Sequence, residues 1–198
     1  KLSDIGALRN LQKLIKLDAS KNLLTDVRVL TSLTALEELG LAENKVSELE
    51  FLAGLSNLRT LDLSSNQFSD ASLVHLTNAS KLKVLKLNEN NISNIQPLAS
   101  LNKLEYLHLA NNSLADLRPL YKLENIQTVY LANNPQLTKS KIQNLQQALL
   151  EEKINCIKRS NPGASEEKLR ELIARSRKPR VEYSLTSRGD RFRFRTRR

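Results

Sequence analysis

The chain has 198 residues, of which 40% are apolar but only 4% aromatic, so leucine has to supply most of any core. It carries 31 basic and 21 acidic side chains, a net charge of +10, and one cysteine. That count excludes an internal disulfide framework and a cysteine-based metal cluster, and no run of ~18 apolar residues offers a membrane-spanning helix. Residues 1–157 hold 17 Lys and Arg against 16 Asp and Glu, while residues 158–198 hold the other 14 and 5. Regions so different in charge point to different roles.

In chain order, Leu2, Ile5, Leu8 and Leu11 match Leu24, Val27, Leu30 and Leu33 shifted back by 22 residues. The matching asparagine would precede Lys1. The chain therefore reads as starting inside a repeat, and further chain is expected upstream, because an uncapped repeat exposes its core face. No signal peptide is visible.

A frame L-x-x-L-x-L-x-x-N then recurs. Its copies are Leu14, Leu17, Ala19, Asn22; Leu36, Leu39, Leu41, Asn44; Leu58, Leu61, Leu63, Asn66; Leu82, Leu85, Leu87, Asn90; Leu104, Leu107, Leu109, Asn112; and Ile126, Val129, Leu131, Asn134. The asparagines step by 22, 22, 24, 22 and 22 residues. Alternation around L-x-L predicts a short strand with one face inward. The three-residue steps after each asparagine suit a 3₁₀-like return path. Each asparagine has both donor and acceptor atoms, and is expected to satisfy backbone groups of its own and adjacent coils. The extra residues within Ser69 to Asn78 should bulge on the return side.

The frame fails after Asn134-Pro135. Thr138 to Glu152 predicts an amphipathic helix with Ile142, Leu145 and Leu149 on one face and Thr138 as N-cap. Cys156 lies 22 residues after Asn134 without the upstream leucines, and reads as a buried cap residue. Beyond a linker at Ser160 to Gly163, Ser165 can cap a helix running to about Arg177, with Glu166 and Glu167 in its first turn. Pro179 stops that helix. Val181, Tyr183 and Leu185, a turn at Ser187 to Asp190, then Phe192 and Phe194, read as a β-hairpin. Arg191, Arg193, Arg195 and Arg197 share its opposite face. The expected organisation is a solenoid with C-terminal cap over residues 1–157, truncated at its N-terminal end, and a basic helix and β-hairpin module over 158–198.

The 22-residue frame, with Leu114, Leu117, Leu120 and Leu123 after Asn112, resembles the short-repeat class of leucine-rich repeats. Bacterial internalins and a regulatory subunit of protein phosphatase 1 belong to that class, and Asn91 to Leu98 (NISNIQPL) is especially internalin-like. The ending NPQLTKSKIQNLQQAL followed by KINCI looks like the closing helix and strand of bacterial repeat proteins. The resemblance covers roughly residues 1 to 155. It implies an α/β leucine-rich-repeat solenoid with a parallel β-sheet on the concave face, which binds proteins. A bacterial envelope or secreted location is favoured over the cytoplasm.

No catalytic constellation stands out. His75 and His108 are the only histidines and have no metal-type spacing, no Gly-rich phosphate loop is present, and Cys156 would need a nearby histidine and an activating environment to act as a nucleophile. A non-enzyme without cofactor or metal is expected. The variable positions six, four, two and one before each asparagine point outward from the sheet. Early repeats place Lys16, Asp18, Glu38, Glu43, Thr60 and Asp62 there, small or acidic. Later repeats place Lys86, Asn88, Tyr106, His108, Thr128 and Tyr130, with His108 and Tyr130 in one column about 4.8 Å apart. These six are the expected partner-binding residues, because tyrosine is enriched at binding hot spots. The plainer reading is a solvated sheet with incidental aromatics.

The arginines of the tail fit nucleic acid or another polyanion, an acidic protein, anionic lipid or lipopolysaccharide; a solubilising edge strand is the bland alternative. Arg188-Gly189-Asp190 also matches an integrin-type tripeptide. The leading function is non-catalytic protein binding through the repeat face at a bacterial surface or in the periplasm, with the tail on an anionic surface. The alternative is an intracellular scaffold of a nucleoprotein complex with an RNA-contacting tail. If the tail grips a polyanion, heparin affinity falls linearly with log salt, at a slope near the number of phosphate-like contacts. Replacing Arg191, Arg193, Arg195 and Arg197 by Ser should flatten that slope, and a slope left intact after deleting residues 158–198 contradicts it.

Overall fold

The computed structural model describes residues 1–183. The arginines Arg191, Arg193, Arg195 and Arg197, the Arg188-Gly189-Asp190 tripeptide and the second arm of the expected hairpin lie outside the described residues.

Each L-x-L triplet forms a three-residue strand: β1 (Lys16–Asp18), β2 (Glu38–Gly40), β3 (Thr60–Asp62), β4 (Val84–Lys86), β5 (Tyr106–His108) and β6 (Thr128–Tyr130). With β7 (Arg180–Glu182) they make, among the described residues, one seven-stranded parallel sheet in chain order. The central residue of each strand points inward: Leu39, Leu61, Leu85, Leu107 and Val129 are all buried. The return paths are 3₁₀ turns, such as Arg28–Ser32, Glu50–Gly54 and Gln96–Ser100. One contiguous apolar core runs from Ile5 to Val181. Strands stack about 4.8 Å apart while packed helical turns are wider, so the array curves with its sheet on the concave side.

The extra residues of the third repeat are absorbed by a longer 3₁₀ turn, Ser72–Asn78. The buried Ser72 hydroxyl donates to the Ser47 carbonyl at 2.6 Å, and Asp70 accepts from the Ser93 and Asn94 amides of the next coil. The insertion thus ties two coils together on the return side. Gly54 marks a close approach there: an added Cβ would lie 2.0 Å from the Thr31 carbonyl oxygen.

The asparagines form a ladder. Asn44 Nδ2 lies 3.0 Å from the Leu41 carbonyl of its own coil and 3.0 Å from Ala19 of the preceding one, while Oδ1 accepts from the Leu24 amide. Asn66, Asn90, Asn112 and Asn134 repeat the pattern. The residue before each asparagine has a left-handed backbone: Lys21, Glu43, Ser65, Glu89, Asn111 and Asn133 have φ between 52° and 61°. The sequence offered no glycine there to announce the turn.

At the C-terminal end, α1 (Lys139–Ser160) starts where expected, with Thr138 accepting from the Lys141 amide and Ile142, Leu145 and Leu149 buried. It does not stop at Glu152. The segment KINCI, expected as a closing strand, is helical, and Cys156 is half-buried on α1 instead of being a buried cap residue. Nothing between Glu152 and Ser160 breaks a helix, and Arg159 fastens this extension by bonds to Glu124 and Glu152, both 2.8 Å. The helix runs through residue 157, where the charge changes. α2 (Glu166–Arg175) is capped by Ser165 as read.

Val181 and Tyr183, read as part of the first arm of a hairpin, lie at the end of the solenoid sheet. β7 pairs parallel to β6, with Val181 opposite Val129 and buried. The last coil would otherwise leave Val129 and Leu131 uncovered, and Val181 closes that end. Gln146 on α1 stands in for a further strand: its Nε2 donates to the Pro179 carbonyl at 2.7 Å and its Oε1 accepts from the Val181 amide at 3.2 Å. This occupies the sheet edge that would otherwise recruit another chain.

Removing a ladder amide strands several buried backbone groups at once. Asn66→Ala and Asn90→Ala should each cost at least about 1–3 kcal/mol in denaturant unfolding. Glu43→Gly, which suits a left-handed backbone, should stay within about 0.5 kcal/mol, whereas Glu43→Val should cost about 1–2 kcal/mol. Equal shifts for Asn66→Ala and Glu43→Gly contradict the ladder.

Candidate functional site

Three-residue strands in strict register give the open face two columns. One runs Lys16, Glu38, Thr60, Val84, Tyr106, Thr128, Arg180; the other runs Asp18, Gly40, Asp62, Lys86, His108, Tyr130, Glu182. The frame dictates this placement, since residues flanking an inward leucine must face outward.

The first coils carry mostly paired charge. Lys16 meets Glu38 at 2.6 Å and Lys21 meets Glu43 at 3.6 Å, both well exposed and so of little energetic weight. Asp62 and Lys86, assigned to opposite halves by the sequence, are neighbours in one column and form an ion pair at 2.9 Å. Ser64 Oγ lies 2.7 Å from both Asp62 Oδ1 and Asn88 Oδ1, which fixes Asn88 beside the pair. Burial raises the Asp62 carboxyl, but the hydrogen bonds from Ser64 and Lys86 outweigh it and leave the group below its ordinary value.

The structure brings the expected aromatic residues together. The Tyr106 and Tyr130 rings are 5.4 Å apart and tilted by 46°, and His108 meets Tyr130 edge-on at 5.1 Å. Such pairs add about 0.5–1.5 kcal/mol beyond area burial and hold one another in place. Lys86, Asn88, Tyr106, His108, Thr128 and Tyr130 are all half-buried on this face. Burial, then the nearby Lys86 charge, lowers the His108 pKa, with Asp62 and Glu89 opposing; the imidazole is neutral near pH 7. Burial chiefly raises Tyr106, so its phenol stays protonated.

Three face residues were missed. Val84 sits beside Tyr106 in the first column and was legible from the frame, six residues before Asn90. Arg180 and Glu182 reach the face only through β7, next to Thr128 and Tyr130, and no repeat signal marks them. Elsewhere, a cavity of about 310 Å³ on the return side is lined by Asp26, Arg28, Glu48 and Phe51. Asp26 there is held down to about 2 by hydrogen bonds from the Arg28 side chain and amide at the start of the Arg28–Ser32 turn, and Asp116 and Arg118 repeat the arrangement at the Arg118–Leu120 turn. It is scaffold. Among the described residues no cluster of His, Cys, Asp or Glu is placed to hold a metal ion.

A family model for leucine-rich repeats, in two copies, matches residues 12–54, 34–78, 56–100, 80–122 and 102–147. Among solved structures, an internalin of Listeria monocytogenes, inlF, is 28% identical with a TM-score of 0.69, over 75% of this chain and 43% of its own. Internalin C2 of the same organism is 39% identical with a TM-score of 0.61, over 66% of this chain and 57% of its own. A repeat protein of Leptospira interrogans shares the fold at 23% identity and a TM-score of 0.65, over 72% of this chain and 37% of its own. The chain thus spans between 37% and 57% of the length of these structures. No curated protein matches it.

The lowered His108 pKa carries a stability consequence. The folded state favours the neutral ring, whereas the unfolded chain takes up a proton near pH 6.5. Stability should therefore fall as pH drops from about 6.5 towards 5, above the range in which carboxylates titrate. His108→Asn should lose less than the wild type over that window in denaturant titrations. Equal losses in the two proteins would refute the assignment.

Proposed function

Since the chain belongs to the leucine-rich repeat family, we propose that it captures a partner protein on the later coils of its concave sheet. The family is a non-catalytic interaction fold, and the concave surface is suited to protein binding. The contact residues in this reading are Lys86, Asn88, Tyr106, His108, Thr128 and Tyr130. The observation that carries it is the mutually packed Tyr106, His108 and Tyr130 cluster on the open sheet. A sheet braced by a contiguous core loses little ordering entropy on binding. Energy then concentrates in a few aromatic anchors, with Lys86 and Asn88 as a polar rim.

In this reading residues 1–157 are the recognition array and the basic residues of 158–198 meet an acidic or anionic surface. The resemblance to bacterial internalins supports an envelope or secreted location. Early-coil charges such as Glu38 steer the approach more than they hold the partner.

Tyr106→Ala and Tyr130→Ala should each weaken partner capture by at least about 1–2 kcal/mol, about 5- to 30-fold, without unfolding the chain. Glu38→Ala should act mainly on the association rate. The check is a pull-down from a matched lysate, wild type against the double tyrosine variant, with retained far-UV dichroism in both. Identical captured proteins would remove the aromatic cluster from the binding surface.

A further inference from the structure

β7 enters the sheet from outside the repeat frame, yet it places Arg180 in register with Thr128 and Tyr106. We propose that the row Tyr106, Thr128, Arg180 receives an acidic side chain of the partner protein, which makes Arg180 a contact and specificity residue. This deepens the reading of the sheet as a protein-binding face and rests on it.

All three side chains of the row can donate: a phenol, a hydroxyl and a guanidinium. Neighbouring strands are about 4.8 Å apart, so a carboxylate seated over Thr128 is within reach of the groups on either side. Arg180 is exposed, and its planar fork matches a carboxylate in two-point contact. The support beneath it is rigid: the Arg180 amide donates to the Gln127 carbonyl at 2.8 Å, the Glu182 carbonyl accepts from Leu131 at 2.8 Å, and Gln146 holds the far edge of β7.

Charge favours the same occupant. Residues 1–157 carry a net +1, whereas, among the described residues, 158–183 hold eight Lys and Arg against four Asp and Glu, a net +4, on the segment that supplies this end of the sheet. An acidic partner is drawn to that end. The second column differs, because Glu182 stands beside Tyr130, and the one nearby lysine, Lys86, is already engaged by Asp62. A run of phosphates laid across the face would meet Glu182 and Glu89, whereas a single carboxylate fits the first column alone. Attraction in one column and repulsion in the next fix the register of the partner.

The test is amide NMR on the full ¹⁵N-labelled chain, titrated with a capped tetraglutamate peptide, a capped tetralysine peptide and a ten-residue thymidine oligonucleotide. Tetraglutamate should shift the Tyr106 and Thr128 resonances, Arg180→Gln should weaken that response at least tenfold with the rest of the spectrum preserved, and replacing Arg191, Arg193, Arg195 and Arg197 by Ser should leave it in place. The proposal is overturned by shifts that survive Arg180→Gln, by shifts that vanish in the tail variant, or by a response to tetralysine or the oligonucleotide in place of tetraglutamate. If Arg180→Gln has no effect on the peptide while the double tyrosine variant still loses its captured proteins, this inference falls and the reading of the face stands. If neither set of variants alters anything, both fall.

Discussion

A chain that turns back on itself about every 22 residues must bury the backbone of each turn, and a buried N–H or C=O without a partner costs about 1–3 kcal/mol. The asparagine ladder meets that cost. One side-chain amide closes its own turn, reaches back to the coil before it, and accepts from that coil's backbone, as Asn112 does with Leu109, Leu87 and Ile92. Leucine burial supplies most of the attraction, but it is non-directional. The ladder supplies the registration, and among the described residues no buried side-chain nitrogen or oxygen lacks a partner.

Registration gives the sheet its usefulness. With Leu85, Leu107 and Val129 fixed inward, the residues flanking them have no choice but to stand outward in two columns. Tyr106, His108 and Tyr130 therefore meet without any contact designed between distant segments. The left-handed residues before each asparagine bear part of the strain of this regularity, since four of the six, Lys21, Glu43, Ser65 and Glu89, are neither glycine nor asparagine, the residues that such a backbone favours. The core and the ladder hold them there.

The C-terminal end solves a different problem. A parallel array ends in a bare apolar face and an open strand edge, both prone to association. α1 covers the face with Ile142, Leu145 and Leu149, and β7 fills the last sheet position with Val181. Gln146 then satisfies the outer side of β7. The same device that closes the core also adds Arg180 and Glu182 to the open face, so capping and the proposed recognition surface share one strand.

The sequence by itself determined the repeat, the inward leucines, the ladder positions, the start of α1 at Thr138 and the cap of α2 at Ser165. Each follows from periodicity or from a residue whose chemistry acts within a few positions. The columns were legible for the same reason, and with them the aromatic cluster. Tertiary structure alone decided the rest. Whether Lys153 to Ile157 would be strand or helix depended on what α1 could lean on, including Glu124, which lies 35 residues from Arg159. The pairing of Asp62 with Lys86 joined two regions that local reading had set apart by charge. The destination of Val181 depended on the vacancy beside β6, a property of the finished solenoid. A strand's alternation reports that one face wants cover, but it carries no information about which edge will supply it.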